Sequence, residues 1–320
     1  MRTASNKARA RAPRVRAATH FADTDFPLKV MRMPSHGTTR LHGHEFHELV
    51  IILRGQGRHR LDDEEYRIEA GDVFLIRGRM AHGYTSARNM DLINLLFAPR
   101  RLRLPLGELQ EVPGYHVLFH LEPRFRQAHR FESKLHLDFE QLAQAEQLLT
   151  RMREELTRRT PGYRFMARTL LMQLIGFLSR SYAPGKSGRV QAMHRLGEAL
   201  GFLHRHYDEK ISLARIARVA HMSQSTLVRA FRSATGASPI DYLIRLRVER
   251  AAELLRSHEF SVTEAALRTG FSDSNYFARQ FRRILGVTPR QHRRQSAIAT
   301  DQRVLYTRAT TEDQTRHDNT

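Results

Sequence analysis

Two stretches decide how this chain reads: SQSTLVRAFRSATGASP at residues 223–239 and DSNYFARQFRRILGVTP at residues 273–289. At an offset of 50 residues, Arg229 meets Arg279, Phe231 meets Phe281 and Arg232 meets Arg282. Gly236 likewise meets Gly286, and Pro239 meets Pro289. Upstream, SLARIA (212–217) matches SVTEAA (261–266) at an offset of 49, so the slip falls in the turn between two helices, where an inserted residue costs least. Each copy has the grammar of a helix-turn-helix. Ser212 caps the first helix of one copy, and Ser261 with Glu264 forms a capping box in the other. Ser223 or Asp273 caps the second helix, and Gly236 or Gly286 ends it with the left-handed residue that glycine supplies. Pro239 or Pro289 then opens the following helix. Between the units the spacing predicts an amphipathic helix from Pro239 to Arg256, whose stripe of Ile240, Leu243, Leu246, Ala251, Leu254 and Leu255 packs against both.

The second helix of each unit carries polar side chains opposite its apolar face. These are Gln224, Ser225, Arg229 and Arg232 in one unit, and Ser274, Asn275, Arg279 and Arg282 in the other. Arginine reads guanine edges bidentately and Asn or Gln reads adenine, in a major groove that admits one helix. The chain carries a net charge of +20 over 320 residues. Residues 186–295 hold 20 Lys+Arg against 9 Asp+Glu, an excess of +11. A basic, duplicated, capped unit points to a polyanionic partner, double-stranded DNA.

The stretch GFSDSNYFARQFRRILGVTPRQHR (270–293) resembles the DNA-binding domain of the AraC/XylS family of transcription regulators. The resemblance implies base contacts at Ser225, Val228, Arg229 and Arg232 of the first reading helix and at Ser274, Asn275 and Arg279 of the second. It also implies a homodimer, contact with RNA polymerase and an N-terminal domain that senses an effector.

Residues 28–97 predict β structure, because short apolar runs such as HELVIILRG and GDVFLI alternate with charged and glycine-containing turns. Within them lies HGHEFHE (42–48), which runs directly into LVIIL. Alternate strand residues share a face, so His42, His44, Phe46, Glu48, Val50 and Ile52 point one way, and His47, Leu49 and Ile51 the other. The pattern G-x4-HxH-x3-E-x6-G from Gly37 to Gly55, with His82 closing Gly71–His82, resembles the metal motifs of cupin barrels. From the residues, three readings stay open: a catalytic cupin holding a metal at His42, His44, Glu48 and His82; a sensor using the same wall for a small polar ligand; and a plain β-sandwich. The DNA reader downstream favours the sensor, so the chain is expected to be no enzyme and to require no cofactor. A divalent metal in the pocket remains an open possibility, and a cupin metalloenzyme with an appended helical domain is the alternative function.

The run from His42 to His82, followed by MDLINLLF, resembles the sensor domains of rhamnose-operon activators. That implies an activator of a sugar-utilisation operon, with rhamnose or a related sugar as effector. Strand alternation adds Arg40, Tyr84 and Asn94 to His42, His44, Glu48 and His82 as candidate effector contacts, since hydroxyl-rich ligands need such donors and acceptors.

The expected architecture is α+β and multidomain. Residues 1–25 form a disordered basic tail and 26–135 a cupin-like β-barrel or sandwich. Residues 136–183 form a helical dimerisation segment with a Leu142, Ala145, Leu149, Met152 and Leu156 stripe; the competing reading packs that stripe on the barrel of its own chain. A linker follows at 184–188, then a double helix-turn-helix domain at 189–295 and a disordered tail at 296–320. The absence of cysteine excludes disulfides and thiolate metal sites. No apolar run is long enough to cross a bilayer and the N-terminus lacks an apolar secretory core, so the cytoplasm is the expected location.

Overall fold

The computed structural model describes residues 13–61, 64–78, 80–127, 134–182 and 188–295. Contacts divide the chain into two units, Met1–Gly201 and Phe202–Thr320.

The first unit is built on one eight-stranded sheet. Its strands are β1 (Arg14–Val15), β2 (Leu28–Met33), β3 (Thr39–His44), β4 (His47–Leu61), β5 (Glu64–Glu69), β6 (Asp72–Ile76), β7 (His82–Phe97) and β8 (Leu135–His136). They run in the order β1-β3-β7-β4-β6-β8, with β2 added on β7 and β5 on β4. Only the β1–β3 pairing is parallel. The long β4–β7 ladder pairs His47 with Phe97 at one end and Leu61 with His82 at the other, with register shifts between Ile52 and Arg58. Bulges bend and twist a strand, so β4 and β7 curve the sheet around an apolar interior. Gly55 sits at this bend with φ +75, and a Cβ there would lie 2.2 Å from the Asn89 carbonyl oxygen. Val50, Ile52, Ile68, Phe74, Ile76, Tyr84, Met90 and Leu92 form the core on one face.

The chain is ordered well before residue 26, against the expected disordered tail. Val15 pairs with His44, helix α1 (Ala17–His20) follows, and Phe21 is buried. Phe21, Phe46 and Leu96 form a small core that Val15 and Met31 flank. Burying an aromatic ring on this scale outweighs the polar composition that suggested disorder. Residues 1–12 and the C-terminal tail from 296 lie outside the described residues.

Beyond the sheet come the short helices α2 (Pro99–Leu102), α3 (Pro113–His116) and α4 (Glu122–Gln127), then α5 (Phe139–Arg158) and α6 (Tyr163–Ser181). Asp138 and Gln141 form a capping box that starts α5. The stripe on α5 packs within its own chain: Ala145, Leu149 and Met152 are buried, and only Leu142 and Leu156 are half-exposed. On α6, Leu170, Leu171, Leu174, Ile175 and Leu178 are buried as well. Helix α7 (Gly188–Arg205) contains the division between the units, since Gly197 and Gly201 bring its backbone against the carbonyls of Pro113 and Glu111 in the first unit. The expected linker falls largely on residues 183–187, outside the described part.

The second unit follows the duplicated pattern. Helices α8 (Leu213–Val219) and α9 (Gln224–Thr235) make one helix-turn-helix; α11 (Val262–Arg268) and α12 (Ser274–Leu285) make the other. Between them, α10 (Pro239–Arg256) packs against all four. Ser212, Ser223 and Ser261 each cap the helix they precede, and Asp273 accepts from the backbone N–H of Asn275 and Tyr276. Both reading helices end on left-handed glycines, Gly236 at φ +84 and Gly286 at φ +79. One core joins Val248, Ala251, Ala252 and Leu255 of α10 to Ala265, Ala266, Phe271, Phe277 and Phe281. No helix among the described residues is long and apolar enough to cross a membrane.

Candidate nucleic-acid interface and ligand cavity

The amphipathic pattern of α9 buries Leu227, Phe231 and Ala234. That burial turns Gln224, Ser225, Arg229 and Arg232 outward, with Val228 half-buried beside them. All five line one open groove together with Leu213 and Ser233. In α12, Phe277 and Phe281 are buried, and Ser274, Asn275, Arg279 and Arg282 are exposed. Among the described residues none of Arg229, Arg232, Arg279 and Arg282 enters an ion pair. Their donors are therefore available to phosphates or base edges. The Arg279 guanidinium lies over the Tyr276 ring, 6.0 Å from its centre. Tyr276 was not among the expected site residues, because in the sequence it reads as one more aromatic of the helix core.

In the first unit a cavity of about 200 Å³ opens on the inner wall of the sheet. Six of the seven expected effector residues line it: His42, His44, Glu48, His82, Tyr84 and Asn94. Arg40 does not; it is exposed, and its carbonyl accepts from His42 Nδ1. Sequence reasoning placed Phe46 on this wall and missed Val15, His20, Met31, Met33, His36, Thr39 and Leu96. Met31, Met33 and Leu96 read as ordinary core. Val15 and His20 sit in the segment expected to be disordered.

The polar chemistry of the cavity is unbalanced. His36 Nε2, His44 Nε2, His82 Nε2, Tyr84 Oη and Asn94 Oδ1 are buried and make no hydrogen bond. All five belong to residues that line the cavity. Buried polar atoms are nearly always paired, and each exception calls for an explanation such as an absent ligand. Burial, with the nearby His59, His42 and His44, holds the His82 imidazole well below its usual range, so it is neutral. Burial, with Glu48 adding to it, pushes the Tyr84 hydroxyl well above its range. Burial also lowers His36. Imidazoles, a phenol and a carboxamide make up most of the polar wall, and Glu48 is the carboxylate among them.

Three of the candidate metal ligands converge. One ligand atom each from His44, Glu48 and His82 lies within 4.8 Å of the others, and all three residues are buried. His42 is not in this group. Its Nδ1 faces the Arg40 carbonyl, and its ring stands 4.4 Å from that of His82. His47, expected on the opposite face, packs against Phe97, and burial lowers its pKa to about 4.

Paired helix-turn-helix units with unpaired arginines, in one chain with a cavity of unsatisfied polar groups, define a ligand-sensing, DNA-binding transcription regulator. Comparison with known proteins agrees. Residues 216–295 match the family described as a helix-turn-helix domain, and residues 31–175 match the AraC-like ligand binding domain. The chain is similar to the HTH-type transcriptional activator RhaR of Enterobacter sp. (strain 638), 32% identical over 81% of this chain and 88% of the relative. The RhaR of Cronobacter sakazakii is 33% identical over 88% of this chain and 96% of the relative. The RhaR of Klebsiella pneumoniae subsp. pneumoniae is 33% identical over 81% and 88%. The chain belongs to the AraC-type family of transcription regulators. Nothing in these matches supports the metalloenzyme alternative.

Proposed function

We propose that the chain is a sugar-responsive transcription activator acting in the cytoplasm as a homodimer and contacting RNA polymerase. The relatives are named as transcriptional activators, which supports activation over repression. Residues 26–135 take the effector, residues 136–183 contribute the dimer contact through surfaces other than the buried α5 stripe, and residues 189–295 read DNA. In α9, Gln224, Ser225, Val228, Arg229 and Arg232 face the operator. In α12, Ser274, Asn275 and Arg279 face base edges and Arg282 a phosphate. Arg229 and Arg279 suit guanine, and Asn275 suits adenine.

The effector is a small, neutral, hydroxyl-rich molecule, with rhamnose and related deoxy-sugars foremost given the resemblance of residues 42–97. The observation that carries this is the set of five unsatisfied buried polar atoms around one cavity. Its volume of about 200 Å³ equals roughly seven waters, below the 300–1,000 Å³ typical of drug-sized ligands. Hydroxyls satisfy His36, Tyr84 and Asn94 while Met31, Met33, Phe46 and Leu96 cover the apolar face of a deoxy-sugar. The effector binds one arrangement of the sensor better than another and so shifts the population that occupies adjacent half-sites. Calorimetric titration of the full-length protein with a panel of sugars tests this. One deoxy-sugar gives saturable heat on the account proposed; heat from none of them removes it.

A further inference from the structure

The His44–Glu48 contact is close without being a hydrogen bond. His44 Nδ1 lies 2.8 Å from the Phe46 carbonyl oxygen, and a carbonyl only accepts, so Nδ1 carries a proton. Nε2 is then the ring's ligating position. It lies 3.0 Å from Glu48 Oε2, with no hydrogen-bond geometry. His82 Nε2 lies 3.5 Å from the same oxygen, again without a hydrogen bond. Among the described residues, Glu48 has no ion-pair partner besides these two imidazoles, and it is 4% exposed. Two nitrogen atoms therefore aim at one buried carboxylate oxygen that no lysine or arginine neutralises. A cation held between the three would neutralise the carboxylate and give both nitrogens a partner.

The separations fit a metal ion. Metal–nitrogen and metal–oxygen bonds of about 2.0–2.2 Å place neighbouring ligand atoms roughly 2.8–3.6 Å apart in octahedral or tetrahedral shells. The contacts of 3.0 and 3.5 Å have that size. The outer supports are also in place. The His44 ring stacks on Phe46 at 4.6 Å with 7° between planes, and the Phe46 carbonyl fixes its tautomer. His82 Nδ1 faces His59 Nε2 at 3.5 Å. Partners of this kind orient ligating imidazoles in metal proteins. Two imidazoles and one carboxylate suit Zn²⁺, Fe²⁺ or Co²⁺, whereas Mg²⁺ and Ca²⁺ prefer oxygen throughout.

We propose that His44 Nε2, Glu48 Oε2 and His82 Nε2 bind one divalent transition-metal ion on the cavity wall, leaving open coordination positions toward the cavity. Those positions accept adjacent hydroxyl oxygens of the effector. The metal site stands on its own geometry, and only this last step rests on the sugar reading.

Full-length protein, stripped with a chelator and dialysed, is titrated with Co²⁺ and with Zn²⁺. The Co²⁺ arm follows visible absorbance, and the metal content after desalting is measured by mass spectrometry. The expected result is one retained ion per chain, a Co²⁺ band that Zn²⁺ displaces, and a raised unfolding temperature. Glu48→Gln, which keeps the side-chain shape, and His82→Asn each weaken uptake by more than about 100-fold, the upper end of what losing a mere supporting partner costs. Circular dichroism and a cooperative unfolding transition show that both variants are folded. Folded wild-type protein that retains no ion and gives no Co²⁺ band overturns the proposal and leaves an imidazolium–carboxylate pair at this position. Equal uptake by wild type and both variants also overturns it, because the ion then sits on surface histidines. Sugar titrations of the metal-free and metal-loaded forms separate the two readings: uptake of metal without any sugar heat keeps the site and removes the sugar.

Discussion

Arg229 on α9 and Arg279 on α12 stand at equivalent exposed positions, each two residues before a fully buried phenylalanine, Phe231 or Phe281. The phenylalanines lock each helix to its unit, and the 3.6-residue period then turns the arginines to the opposite face. One internal duplication thus places two guanidinium groups for the same task.

Replacing Arg279 by Ala should cost about 1–3 kcal/mol on the true operator and relax the preference at one base position. Arg279→Lys should recover part of the affinity and little of the specificity, because a point charge lacks the bidentate fork. Fluorescence anisotropy on the operator and its single-base variants measures both. Uniform weakening across all sequences would place Arg279 on a phosphate instead.

Operator affinity should fall steeply with salt, since log K declines by roughly 0.9 per neutralised phosphate for each log unit of salt. Arg282→Ala should lower that slope by about 1 and leave base preference unchanged. Titrations across a salt series test this; an unchanged slope would show that Arg282 makes no phosphate contact.

Phe281→Ala should destabilise the helical unit by about 3–5 kcal/mol, because its ring is fully buried among α10, α11 and α12. Leu267, 61% exposed, should tolerate alanine within about 0.5 kcal/mol. Denaturant unfolding followed by far-ultraviolet circular dichroism compares the two.

Tyr84→Phe should act in opposite directions on stability and binding. The Tyr84 hydroxyl is buried and unsatisfied, a condition that costs about 1–3 kcal/mol, so its removal should stabilise the free protein. The same change removes one hydrogen bond to the effector and should weaken binding by about 1 kcal/mol. A loss of stability on this substitution would mean that the hydroxyl is already paired in the free protein.

Much of this was legible in the sequence, and the parts that were not share a physical cause. The helix-turn-helix units were readable because caps, terminating glycines and the 3.6-residue stripe all agree locally. The histidine wall was readable because strand alternation holds from His42 to Glu48 even though the ladder breaks at Glu45–Phe46. Val15, His20 and Phe21 were not, because their order depends on pairing with Gly43 and His44 and on packing with Phe46, contacts that no local pattern announces. The α5 stripe was ambiguous for a similar reason. A row of Ala145, Leu149 and Met152 looks the same whether α6 or a second chain covers it.

His116 should contribute an acid-sensitive share of stability. Burial is the main cause that lowers its pKa from 6.5 to about 4, with its donation to the Gln110 carbonyl opposing. The unfolded chain binds a proton on this side chain near pH 6.5, whereas the folded chain binds it only near pH 4. The contribution is therefore complete above pH 6.5 and is lost as pH falls through that window, by on the order of 3 kcal/mol. Denaturant titrations at several pH values, with His116→Gln for comparison, check it. The variant should show a shallower loss on acidification, and identical pH profiles would assign the sensitivity to other groups.

The most direct test of the central claim is selection of duplexes from a random pool by the purified full-length protein at moderate ionic strength. Two recognition helices on one connector predict enrichment of a bipartite motif whose halves lie about one helical turn, roughly 10 base pairs, apart. A selected pool no different from the starting pool would contradict the reading of this chain as a sequence-specific regulator.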